Sequence, residues 1–300
     1  MKKPVFVGSC TALVTPFTND FDSSITADFD KLDMLIEEQI EAGTSALVVC
    51  GTTGEASTQS IPKHLETVAR AVKQTDGRIP IIAGTGANST DEALYMSKEA
   101  EKSGADALLI VTPYYNKCSS EGLIKHYTVI ADNVGIPIVL YNVPSRTNIN
   151  ITPQIYYELS KHERIVGTKE ASGDFTNIAK TRALCGNDFY IWSGNDEHTI
   201  PIMALGGKGV ISVASNVIPA QMSEICKLFI DGKTNESVEL FLRYMPLLDA
   251  LFMDVNPIPV KTALNMMGKD VGKLRMPLCD MDETKNAKLK SILSQFGLVN

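Results

Sequence analysis

Pro137-Ile138-Val139-Leu140-Tyr141-Asn142-Val143 is a nearly unbroken apolar, β-branched run, apolar on both faces and too short for a helix. Such a run suits a strand covered from both sides, the condition of a parallel sheet flanked by helices. Outward from it, similar runs follow at residues 165–169, 189–192 and 209–213, and others precede it at 107–112, 80–84, 46–50 and 5–15. From the second run onward their starts lie 20 to 34 residues apart, room for one helix each time.

The spacers carry helix end signals. Thr26 can cap a helix whose apolar stripe is Phe29, Leu32, Ile36 and Ile40, with Gly43 stopping it. Ser60 precedes a second helix with Pro62 in its first turn, Leu65, Val68, Ala69 and Val72 inward, and Gly77 at its end. Ser89 or Thr90 caps a third, placing Asp91 and Glu92 where the helix dipole favours negative charge. Eight β-then-α units without a break in composition imply an α/β chain folded as a (β/α)8 TIM barrel, spanning residues 1–218. A doubly wound sheet rarely runs to eight such even units. After the eighth run the segments 221–231, 236–253, 258–267 and 283–296 all read as helical, so a C-terminal helical extension over 219–300 is expected to pack on the barrel.

Composition narrows the function. The net charge is −7 and the basic residues are scattered, densest at 285–290 on the polar face of a terminal helix, which argues against a nucleic-acid partner. No apolar run approaches the roughly 18 residues of a membrane span. Val7-Gly8-Ser9-Cys10 mimics a lipoprotein cleavage site, but the apolar stretch before it is about three residues against the roughly 7–15 of a signal peptide; it reads as part of the first strand. Cysteines at 10, 50, 118, 185, 226 and 279 form no Cys-x-x-Cys pair, and histidines at 64, 126, 162 and 198 have no metal-ligand spacing. A disulfide framework is unusual at this length, so a reducing, cytoplasmic setting and no metal are expected.

In such barrels chemistry sits at the C-terminal ends of strands. Strand two ends in Gly51-Thr52-Thr53-Gly54-Glu55, strand four in Thr112-Pro113-Tyr114-Tyr115-Asn116, strand five in Tyr141-Asn142-Val143-Pro144-Ser145-Arg146-Thr147, and strand six in Gly167-Thr168-Lys169-Glu170. Lys169 stands out: burial at a strand end favours the neutral amine that attacks a carbonyl. The plain alternative is a lysine that snorkels or pairs with Glu170. Tyr141, Tyr115 and Thr53 share the rim and could shuttle protons, Thr53 only as a relay member; ordinary rim residues are the alternative. Arg146 offers a planar fork matched to a carboxylate, or else a surface ion pair. The Gly51–Gly54 loop offers N–H groups and hydroxyls to a small carboxylate, without the Gly-Lys-Ser/Thr element of a phosphate loop.

Together these four motifs, in this order, resemble the dihydrodipicolinate synthase family. Thr11-Ala12-Leu13-Val14-Thr15-Pro16-Phe17 and Trp192-Ser193-Gly194-Asn195-Asp196 extend the likeness over the whole barrel. The resemblance implies that pyruvate forms a Schiff base on Lys169, that its enamine attacks aspartate-4-semialdehyde, and that no external cofactor is needed. It implies that Thr52 and Thr53 hold the pyruvate carboxylate, Tyr141 is the acid/base, and Arg146 binds the second substrate's carboxylate. The backbone at Gly194 and Ile211 would line the pocket. Tyr115 would complete the relay in a neighbouring subunit, which implies a homo-oligomer, usually a dimer of dimers. Related sialic acid lyases and keto-deoxy sugar acid aldolases share the Lys and Tyr roles, but tend to differ across the run 142–147. A barrel without catalysis would need none of these residues. Where family members are inhibited by L-lysine, the matching positions here are His64, Asn88, Glu92 and Tyr114; Ile61 and Ala56 depart from sensitive enzymes, and solvated helix-start residues are the alternative for His64 and Glu92.

Overall fold

The computed structural model describes residues 2–18 and 27–300. All eight apolar runs are strands: β1 (Gly8–Ala12), β2 (Ala46–Val49), β3 (Ile81–Gly84), β4 (Ala107–Val111), β5 (Ile138–Asn142), β6 (Ile165–Glu170), β7 (Tyr190–Ser193) and β8 (Gly209–Ser212). Each pairs in parallel with the next, and β8 returns to β1 from Gly8↔Gly209 to Thr11↔Ser212, closing the barrel. The first strand is shorter than the run 5–15 because the chain leaves the sheet after Ala12 and Phe17 makes an antiparallel bridge to Ala27.

The period-two alternation of the strands divides their side chains between two cores. Leu47, Leu108, Ile110, Ile138 and Leu140 pack outward against the helices, whereas Val48, Leu109, Val139, Tyr141, Trp192 and Ile211 form the inner cluster. Phe6 joins the inner set by stacking on Trp192 at 5.1 Å, and the indole N–H donates to the Phe6 carbonyl at 3.2 Å.

One irregularity sets the geometry of the rim. Between β5 and β6 the register runs Ile138↔Ile165 and then Val139↔Gly167, so β6 carries one extra residue. Without it, alternation from the outward Ile165 would turn Thr168 inward and Lys169 toward the helices. With it, Lys169 pairs with the inward Tyr141. Bulges re-aim side chains in this way. Gly167 permits the close approach, since a Cβ there would lie 2.1 Å from the Tyr190 carbonyl oxygen.

The local expectations need two corrections. The Thr26 cap lies outside the described residues, and the helix Phe29–Glu41 is capped by Asp28, whose carboxylate accepts from the Lys31 N–H. The helix Ile61–Thr75 buries His64, Thr67, Val68, Ala71 and Thr75, not the stripe through Leu65 and Ala69. Its polar residues can turn inward because Thr67 and Thr75 donate to carbonyls one turn back, at 2.9 and 2.8 Å.

The four C-terminal helices are Pro219–Ile230, Thr234–Ala250, Ile258–Met266 and Glu283–Gln295. The first packs on β1 and β8 and, on its other side, on the helix Thr234–Ala250. Among the described residues no helix is long and apolar enough to cross a membrane.

Candidate active site

Strand pairing brings Lys169 and Tyr141 side by side on β6 and β5. Lys169 is 5% exposed, with Nζ 4.4 Å from the centroid of the Tyr141 ring. Among the described residues no carboxylate pairs with it. Glu170, the neighbour that could have, faces the other way. Its carboxylate accepts from Asn142 Nδ2 at 3.0 and 3.2 Å, from the Tyr156 hydroxyl at 2.9 Å and from the Ser172 N–H at 2.9 Å. Burial still pushes the Glu170 carboxyl up, against those donors. A primary amine without a bonded counter-ion keeps its nitrogen available to a carbonyl carbon. Gly194 makes space for it: a Cβ there would meet Lys169 Cγ at 3.1 Å and Ala171 Cβ at 2.8 Å. Ile211 is fully buried in the same inner cluster.

The loop after β2 is folded by its own backbone. Gly54 N–H donates to the Gly51 carbonyl, Glu55 N–H to the Thr52 carbonyl, and the Thr15 hydroxyl to the Gly54 carbonyl at 2.8 Å. Cys50 and Glu55, both at φ 54, take left-handed conformations that bend the chain around. The N–H groups of Thr52 and Thr53 donate to no protein acceptor among the described residues. The loop therefore offers an anion these N–H groups and not its whole backbone. Thr53 is buried, and its Oγ1 accepts from Asn256 Nδ2 at 3.0 Å.

Arg146 lies on the short helix Pro144–Thr147 that follows β5, and its Nη2 donates to the Asn256 carbonyl at 3.2 Å. Among the described residues it makes no ion pair, so the surface-salt-bridge alternative finds no partner. Together with Thr52, Tyr141 and Val143 it lines a cavity of about 280 Å³. Tyr115 is not brought to Lys169 by its own chain: it is 93% exposed, at φ 72.

Lysine, tyrosine, threonines and arginine thus stand where the sequence motifs put them, on one barrel rim. A family model described as the dihydrodipicolinate synthetase family matches residues 5–296. The chain belongs to that family. It is 50% identical over 297 residues to a 4-hydroxy-tetrahydrodipicolinate synthase of Thermoanaerobacter sp. (strain X514), covering 99% of this chain and 98% of the relative. The crystal structure of a dihydrodipicolinate synthase from Thermotoga maritima superposes with TM-score 0.94 at 42% identity, covering 99% of this chain and 100% of the other. One from Cyanidioschyzon merolae with lysine bound superposes with TM-score 0.95 at 37% identity, with coverage of 99% and 100%.

In this family member the second group of expected residues adjoins the first. His64, Glu92 and Tyr114 line the same cavity as Tyr141 and Arg146. The Asn88 carbonyl accepts from Asn116 Nδ2 at 2.9 Å. Burial and the Glu92 charge raise the Tyr114 pKa, and the Asn88 backbone acts against them. His64 is not a solvated helix-start residue: it is buried and lies 2.8 Å from the Gly84 carbonyl. A carbonyl only accepts, so Nε2 carries the proton and Nδ1 keeps its lone pair. Burial pushes this imidazole down toward the neutral form. Glu92 is exposed, as the plain alternative expected.

The sequence reading missed the residues that hold the rim from behind. Lys261, on the helix Ile258–Met266, forms a buried ion pair with Glu55 at 2.8 Å and also donates to the Thr15 and Lys273 carbonyls. Burial lowers the ammonium's pKa, and Glu55 acts against that. The other Glu55 oxygen accepts from the Arg275 N–H at 2.8 Å. A charged residue inside an otherwise apolar helical segment was the available signal.

Proposed function

We propose that this chain condenses pyruvate with L-aspartate-4-semialdehyde to 4-hydroxy-tetrahydrodipicolinate, a lyase-class step of diaminopimelate and lysine biosynthesis, through an imine on Lys169. The observation that carries the reading is Lys169 itself: inward, free of a counter-ion, and beside Tyr141, which lines the cavity. The amine adds to the ketone carbon of pyruvate, the carbinolamine loses water, and loss of a methyl proton gives the enamine that attacks the aldehyde carbon of the second substrate. The amino group of that substrate then adds to the imine carbon and displaces Lys169, closing the ring and freeing the amine. The imine nitrogen is the electron sink, so the reaction calls for no external cofactor. Tyr141 gives and takes the protons, with the Thr53 hydroxyl as relay. The Thr52 and Thr53 N–H groups suit the pyruvate carboxylate. The Arg146 fork suits the carboxylate of the semialdehyde.

The exposure of Tyr115 supports the reading that it serves a neighbouring subunit, in a homotetramer built as a dimer of dimers. All six cysteines are free, which supports a cytoplasmic setting. The intact run Asn142–Thr147 favours this reaction over cleavage of sugar acids. Purified protein assayed with pyruvate and aspartate-4-semialdehyde, against N-acetylneuraminate and keto-deoxygluconate, tests it; turnover of a sugar acid in preference to the semialdehyde overturns it.

A second reading concerns the far end of the cavity. His64 with a free Nδ1, the Glu92 carboxylate, Tyr114 and Asn88 suit an amino acid with two ammonium groups, and the adjacent Tyr114 and Tyr115 offer a short path to the relay. L-Lysine is expected to inhibit partially and reversibly, less so after His64→Ala or Glu92→Ala. Millimolar L-lysine that changes neither rate nor melting temperature disposes of the idea.

A further inference from the structure

We propose that Asn256, in the turn between the last two-thirds of the extension and the helix Thr234–Ala250, is a positioning residue for this reaction. It rests on the reading of Lys169, Thr53 and Arg146 given above. Two different atoms of Asn256 reach the two substrate-facing groups: its side-chain Nδ2 donates to Thr53 Oγ1 at 3.0 Å, and its main-chain carbonyl accepts from Arg146 Nη2 at 3.2 Å. No other residue among those described bonds to the side chains of both.

The chemistry of the first contact is directional. A hydroxyl has one proton to give, and an N–H arriving at its oxygen turns that proton away from the donor. Thr53 donates to no protein acceptor among the described residues, so the amide leaves its O–H uncommitted, as a relay needs. Released from Asn256, the hydroxyl could turn back on its own backbone, as threonines in loops do. The second contact anchors the Arg146 head while leaving its remaining N–H groups for a carboxylate.

Asn256 is also poorly accounted for by stability. It is 7% exposed, and its Oδ1 is buried with no donor. A buried acceptor without a partner is a cost that an apolar side chain of the same shape avoids. Its neighbourhood is held rigidly: Lys261, five residues on, is locked to Glu55 of the same loop that carries Thr53. The extension thereby reaches the β2 rim through the buried ion pair, through the Arg275 N–H and through Asn256.

The test is a double-mutant cycle with Thr53→Val and Asn256→Ala, read by kcat, both KM values and borohydride trapping of pyruvate. Asn256→Ala should lower kcat by about 100-fold, the lower end of a proton-transfer contribution, with KM for pyruvate changed less than about threefold. Combined with Thr53→Val it should be no slower than Thr53→Val alone, because it acts through that hydroxyl. Asn256→Asp keeps the shape but can only accept when ionised, so it should capture the Thr53 proton and be at least as slow. If the alanine variant does not fold, the aspartate variant carries the cycle. A kcat within about twofold of the parent, or losses that multiply in the double variant, overturns the proposal. Trapping in the parent protein separates the two failures: its absence condemns the Lys169 imine, whereas its presence beside a neutral Asn256 condemns only the positioning role.

Discussion

Two cations face this rim, and their surroundings divide the work between them. Lys169 is buried against an aromatic ring and bonded to no carboxylate, which suits covalent chemistry; Arg146 is exposed and held by one main-chain carbonyl, which suits recognition. Arg146→Ala should therefore lower kcat/KM for the semialdehyde by ~100-fold, the scale of a lost charge-assisted pair, while leaving pyruvate trapping intact. Loss of trapping in that variant would mean that Arg146 builds the site instead of reading a substrate. Both residues were legible in the sequence because each sits in a short motif at a strand end. Asn256 was not, because its two bonds join positions some hundred and two hundred residues away, and nothing local in Asn256-Pro257 announces them.

At the scale of elements, the β2 loop and the extension behave as one structure. Glu55 is turned inward at φ 54 and meets Lys261 with both side chains essentially inaccessible. Removing one partner of a buried pair strands the other charge, so Lys261→Met should cost about 3–5 kcal/mol in stability, and Glu55→Gln in the same chain should recover much of it. Urea denaturation of the parent and the two variants decides this; a single Lys261→Met without loss would show the pair to be dispensable. The strands themselves were readable from apolar runs, and so were the four C-terminal helices from periodicity. The bulge in β6 was not, because one extra residue in a run of five leaves the composition unchanged while reversing which side chain faces inward. The inward face of the helix Ile61–Thr75 was misread for a related reason: threonines that bond their own helix can be buried, and hydrophobic periodicity does not count them.

For the whole molecule, the barrel supplies the frame and leaves Tyr115 exposed outside it. Stability should also carry a signature of burial. His126 is buried with Nδ1 2.9 Å from the Thr90 hydroxyl and Nε2 without a partner, and burial pushes it from 6.5 down to about 4. The unfolded chain takes up that proton first, so this contribution is full above pH 6.5 and drains away as pH falls toward 4, by on the order of 3 kcal/mol. Melting temperatures of the parent and His126→Gln across that window should converge toward acid pH; an unchanged difference would contradict the assignment. The closed barrel was legible from eight evenly spaced units.

Covalent capture at Lys169 is the claim on which the rest depends, and reduction of the imine tests it most directly. Borohydride added with pyruvate, followed by peptide mapping by mass spectrometry, should find one pyruvate-derived adduct per chain, on Lys169. Lys169→Arg should abolish it, because a guanidinium stays protonated and forms no imine. An adduct on another lysine, or none at all, would contradict the account.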